Sequence, residues 1–149
     1  MKLRNPVKIV LKAKGSEVYS IDSSATVYEA LVLMASKEIG ALVVMDGSQL
    51  VGMFSERDYA RKVILVGRSS REMKVKEIMS APVHNVQPNS TIDECMQEMT
   101  DKRCRHVPVI DEGNVIGVIS IGDLVNFIIS RQDQEIHDLE DYISGDYPH

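Results

Sequence analysis

Two four-residue phrases carry the side chains best suited to building a binding site: Ser55-Glu56-Arg57-Asp58 and Ser120-Ile121-Gly122-Asp123. In each, a hydroxyl stands three residues before a carboxylate. A carboxylate accepts two hydrogen bonds from adjacent hydroxyls, and charge-assisted bonds are the stronger kind. A hydroxyl at a helix start, beside free N–H groups and the positive end of the helix dipole, is a natural place for a phosphate. Arg57 adds a planar fork of donors. The same spacing is also a plain capping box, and the two roles can coexist. Lys102, Arg103, Arg105 and His106 form a second basic cluster, which reads either as a solvated edge or as an anion contact.

Placing these phrases requires the elements around them. Sliding the chain by 65 residues lays Val18–Val63 on Val83–Ile128 without a gap, and ten of the 46 positions are identical. Among them are Thr26/Thr91, Glu29/Glu94, Gly52/Gly117, Ser55/Ser120 and Asp58/Asp123. The apolar pattern repeats as well, so the chain is a duplication. Val18–Ile21 and Val83–Val86 read as short strands. Thr26-x-x-Glu29 and Thr91-x-x-Glu94 read as capping boxes. The apolar stripes Val27, Ala30, Leu31, Met34 and Ile92, Cys95, Met96, Met99 predict one helix per copy. Ala41–Met45 and Leu50–Phe54 pair as a hairpin, as do His106–Ile110 and Val115–Ile119. The Ser-x-x-Asp phrases then open a second helix.

Each unit is therefore strand–helix–strand–strand–helix. One copy is too small to bury an adequate core alone, so two copies packing their sheets about a near-twofold axis is the expected architecture. We divide the chain into a first repeat with its N-terminal segment (1–66), a linker of loop and short helical turn (67–82), a second repeat (83–130) and an acidic helix and tail (131–149). The fold class is mixed α/β, of the α+β kind. The segment 124–143 reads as one long helix ending near Gly145.

Element order and motifs together resemble tandem CBS (cystathionine beta-synthase-type) domains. Gly52-Met53-Phe54-Ser55-Glu56-Arg57-Asp58, Gly117-Val118-Ile119-Ser120-Ile121-Gly122-Asp123 and Arg105-His106-Val107-Pro108-Val109-Ile110-Asp111 carry the likeness. The resemblance implies an adenine-nucleotide ligand (AMP, ATP or NAD) in clefts between the repeats. It assigns Asp58 and Asp123 to the ribose hydroxyls. Ser55 and Ser120 fall near the phosphates, and their neighbours Arg57 and Ile121 are taken with them as nucleotide-binding residues. Backbone near Tyr19, Ser20 and Ile21, and near Asn85 and Val86, would read the adenine edge. Arg105 and His106 would face phosphates from the partner repeat. The copies differ here, because Gly40 and Ala41 align with Arg105 and His106, and Gly122 aligns with Arg57. Unequal clefts follow.

No nucleophile elbow, Walker A run, Gly-x-Gly-x-x-Gly or His-Glu-x-x-His is present, so an enzyme is not expected. No Cys/His cluster has metal spacing, and aromatic residues, at 5%, are too few to interleave with bases on a nucleic-acid surface. No apolar run suits a membrane or a signal peptide. We expect a cytoplasmic sensor acting through an effector protein. The alternative is a structural or protein-interaction module, for example a redox-protein regulator, without a physiological nucleotide. The stripe Ile129, Ile136, Leu139, Tyr142, Ile143 needs a cover, and a homodimer is the simplest one. The net charge of −5 lies in residues 131–149, where six acids face one base; residues 1–130 are balanced.

Overall fold

The computed structural model describes residues 3–15, 17–81 and 83–144. In order, α1 is Val7–Lys14, β1 Ser20–Asp22, α2 Val27–Lys37, β2 Ala41–Asp46, β3 Gln49–Ser55, α3 Glu56–Tyr59, α4 Val75–Ile78, α5 Ile92–Lys102, β4 His106–Asp111, β5 Asn114–Ser120 and α6 Ile121–Ser144. The expected Gly145 helix end lies outside the described residues.

The duplication sets the layers. In the first repeat β1 runs parallel to β2, and β2 is antiparallel to β3. In the second, β4 and β5 form the matching hairpin. Residues alternate across a strand. Leu42, Val44 and Phe54 therefore face α2 in one core, while Val107, Val109 and Ile119 face α5 in the other. The opposite faces meet: Ala41, Val43 and Met53 pack with Val83, Val115 and Val118 of the second repeat. This middle layer holds the two repeats face to face.

Local chemistry explains the elements. Thr26 Oγ1 accepts from Glu29 N at 3.1 Å, and Glu29 returns a bond to Thr26 N, a complete capping box. Thr91 caps α5 through Glu94 N at 3.1 Å. Both helices end on a left-handed residue, Glu38 or Arg103, at equivalent positions.

Two expectations need correction. The second repeat has no strand at Val83–Val86; only Val86 bridges to Val109. In the first repeat Val43 N donates to Tyr19 O at 3.3 Å. The equivalent residue is Pro108, which has no N–H to give, so the ladder does not extend. The helix opened by Ser55 is also brief. After α3 it widens into a π-turn over Ala60–Ile64, with Leu65 N donating to Ala60 O at 3.1 Å.

Sequence order groups α1 with the first repeat, but in space it packs on the second. Val7, Val10 and Leu11 are buried among Ile92, Cys95, Met99, Val107 and Ile119. Each such side chain contributes roughly 1.5–3 kcal/mol. The linker gives the first repeat the same cover through Met73, Val75 and Ile78. The two covers dock alike: Val7 N donates to Ser90 O, and Val75 N to Ala25 O, both at 2.8 Å. Gly52 and Gly117 are the contact points. A Cβ at Gly52 would lie 2.5 Å from Met79 Sδ, and one at Gly117 would lie 2.6 Å from Leu11 Cδ2.

Candidate functional site

Two cavities open where the repeats meet, one on each Ser-x-x-Asp phrase. The Asp58 cleft, of about 400 Å³, is lined by residues of both repeats, including Ser55, Arg57, Asp58, His84, Arg105 and His106. The Asp123 cleft, of about 680 Å³, includes Tyr19, Gly40, Ala41, His106, Ser120 and Asp123. Both volumes lie in the range of small-molecule sites.

The Asp58 carboxylate is buried and fully engaged. Its Oδ2 accepts from Ser55 N at 3.0 Å and Ser55 Oγ at 3.1 Å. Its Oδ1 accepts from Ser80 Oγ at 3.0 Å and pairs with Lys62 Nζ at 3.2 Å. Ser55 Oγ also accepts from Asp58 N at 3.2 Å, so the capping box is real. The backbone of Ser80 pairs with Met53 in both directions, which fixes its hydroxyl over Asp58.

The Asp123 carboxylate is held differently. Oδ2 accepts from Ser120 N at 2.8 Å and from Lys14 Nζ at 2.6 Å. Among the described residues Oδ1 takes no hydrogen bond. Burial pushes the Asp123 carboxyl up, but the Lys14 hydrogen bond, the Ser120 N–H and the Lys14 charge hold it below the usual carboxylate range. Lys14 arrives from the last turn of α1, which the N-terminal cover brings to this cleft. Phe127 stands where the first repeat has Lys62, and it packs on the core instead.

Charge separates the clefts. Around Asp58 stand Arg57, Arg61, Lys62, Arg103 and Arg105 against two carboxylates, Glu56 and Asp58. Around Asp123 stand Lys14 and Lys37 against Glu17, Glu38 and Asp123. The left-handed residue that ends the preceding helix is Arg103 in one cleft and Glu38 in the other. His106 belongs to the wall of both. Burial lowers its imidazole below the usual value; the Asp123 and Glu56 carboxylates oppose this, and Lys14 and Arg105 add to it.

Of the residues singled out in the sequence, Ser55, Arg57, Asp58, Arg105 and His106 are brought together in the Asp58 cleft, while Tyr19, Ser120 and Asp123 share the other with His106. Ser20, Ile21, Asn85, Val86 and Ile121 lie outside both walls, and the Val86 side chain is in the second core. Sequence reasoning missed Lys14, Lys62 and Ser80. One signal was available. At a shift of 68, Val7-Lys8 repeats as Val75-Lys76, and the covering segments that deliver Lys14 and Ser80 begin there. Cys104 also borders the Asp58 cleft. Burial raises its thiol, and pushes that of Cys95 up to about 11, so neither is poised as a thiolate.

The CBS domain family model matches residues 14–65 and 75–130. An Arabidopsis thaliana relative, the mitochondrial CBS domain-containing protein CBSX3, is 41% identical over 150 residues, covering 93% of this chain and 71% of its own length. A solved CBS-domain protein from Burkholderia ambifaria is 50% identical with a TM-score of 0.83, covering 86% of this chain and 96% of that one. A hexameric CBS-CP12 protein from bloom-forming cyanobacteria superposes with a TM-score of 0.75 at 25% identity, over 96% of this chain and 83% of that one.

Proposed function

Because the chain belongs to the CBS-domain family as a tandem pair, a regulatory module, we propose that it binds an adenine nucleotide between its repeats and passes the occupancy to a partner protein without catalysis. The observation that carries this reading is the pair of interrepeat clefts, each with a carboxylate set by Ser-x-x-Asp at a helix start. A ribose diol suits such a carboxylate as acceptor. In the Asp58 cleft the diol must take the place of Ser80 or Lys62, so that binding rearranges the linker contact. In the Asp123 cleft Oδ1 is open, and Lys14 guards Oδ2.

The clefts are unequal. The cationic Asp58 cleft suits ligands with several phosphate charges, such as ATP. The Asp123 cleft suits weakly charged ones. Calorimetric titration with AMP, ATP and NAD checks this. Two distinct steps are expected, with Asp58→Ala and Asp123→Ala each abolishing one. If neither substitution changes binding of any adenylate, the assignment fails.

A second reading is a protein-interaction module with clefts unused by nucleotide. Own-chain donors already satisfy Asp58, which favours it. A thermal-shift screen separates the readings, since a ligand that binds only the folded form raises the melting temperature. We take the active form to be a homodimer. The reading places the protein in the cytoplasm, whereas the Arabidopsis relative is named mitochondrial; cell fractionation decides. Among the described residues no helix is long and apolar enough to cross a membrane.

A further inference from the structure

Two exposed apolar surfaces of this chain carry opposite charge. The first is the distal part of α6. Beyond Phe127 and Ile128 the helix leaves the core, and residues 129–140 are all exposed. A helix of this length is marginal in water without tertiary cover. Ile136, Leu139 and Ile143 fall at spacings of three and four, on one face, with exposures of 57%, 60% and 76%. Asp133, Glu135, Asp138, Glu140 and Asp141 surround them, and residues 132–144 contain no Lys or Arg.

The second surface follows the π-turn. Ile64, Leu65 and Val66 are consecutive and 54%, 76% and 58% exposed. Arg68 N donates to Val63 O at 2.9 Å, closing a loop around them. Arg68 and Arg71 follow the loop in sequence, while Arg61 and Lys62 before it line the Asp58 cleft. Arg71 lies over the exposed Tyr28 ring at 4.4 Å from its centroid, which extends the patch.

Pairing α6 with another α6 would bring together two segments that each carry five carboxylates and no Lys or Arg, and like charges across an interface are costly. The loop at residues 64–66 offers apolar area with the opposite charge. We propose that the distal α6 of one copy docks on the Ile64–Val66 loop and its arginines in a second copy, and reciprocally. Two equal contacts about a twofold axis then close the dimer. This rests on the homodimer reading above and names its surfaces.

The test is a charge exchange followed by sedimentation velocity at one protein concentration. One variant carries Glu135→Lys and Glu140→Lys; the other carries Arg68→Glu and Arg71→Glu. Each alone should dissociate, with a dimer constant weakened by at least about tenfold. An equimolar mixture should recover the dimer, because both contacts are again complementary. Leu65→Ser, which leaves the charges alone, should also weaken it. Far-UV circular dichroism matching the wild type verifies folding. If the Arg68/Arg71 variant stays dimeric, or the mixture fails to reassociate, this pairing is wrong while the dimer stands. A monomeric wild type overturns the dimer reading itself.

Discussion

The Lys14 ammonium lies 2.6 Å from Asp123 Oδ2 and 2.8 Å from the Val118 carbonyl, so the last turn of α1 plugs the Asp123 cleft. A partly exposed pair of this kind is worth about 1 kcal/mol or less. Its pH dependence is diagnostic. Asp123 titrates below its ordinary value in the folded protein. Its contribution is therefore complete above the ordinary carboxylate range and is lost as the pH falls through the lowered value. Lys14→Met should lower the urea midpoint at pH 7, and progressively less as the pH falls below the ordinary carboxylate value. A loss that does not shrink with falling pH would show that the ion pair is not the cause.

His106 should leave the opposite mark. Burial lowers its value in the fold, while the unfolded chain protonates near pH 6.5. The unfolded state then binds more protons, and stability falls as the pH drops from about 7 through 6.5, levelling off below the folded value. His106→Asn should flatten this part of the pH–stability curve. A curve unchanged by the substitution would mean that another group sets it.

Gly52 has no room for a side chain. A Cβ there meets Met79 Sδ at 2.5 Å and, less yieldingly, the Ser80 carbonyl at 3.2 Å. Gly52→Ala should cost about 1–3 kcal/mol by overpacking. Because the Ser80 carbonyl, next to Met79, is part of the same contact, the change should also disturb the Asp58 carboxylate. Thermal unfolding measures the first effect and titration with ATP the second. Wild-type behaviour in both would contradict the contact.

Ser80 separates support from binding. Ser80→Ala removes one bond to Asp58 and should cost about 1 kcal/mol of stability. If a ligand diol replaces the Ser80 hydroxyl, nucleotide affinity should hold or rise. A drop comparable with that of Asp58→Ala would instead make Ser80 part of the binding surface. Calorimetry on the two variants side by side decides.

The repeat, the hairpins and helices α2 and α5 were legible because their signals are local: hydroxyl caps, apolar periodicity and turn residues. The Ser-x-x-Asp phrases were legible for the same reason. What escaped depends on distant partners. Helix α1 is eight residues long with no side-chain cap, and only the second repeat, some 80 residues later, stabilises it. Lys14 and Ser80 gain their roles through those docked segments, so neither stands out in its own neighbourhood. The absent strand at Val83–Val86 turned on one missing N–H at Pro108, which lies in the neighbouring strand. The π-turn after Tyr59 has no sequence mark that we recognise.

The crossed covers also govern how the chain comes off the ribosome. The first repeat is followed at once by its own cover, Met73 to Ile78, and can close as soon as the linker emerges. Val7, Val10 and Leu11 are made first, yet their seat is finished only when Ile119 and Leu124 appear. At about 5–20 residues per second, that leaves an apolar helix waiting on the order of ten seconds. A nascent chain stalled after the linker should therefore hold one closed repeat and an uncovered α1, and would be the species most in need of a chaperone.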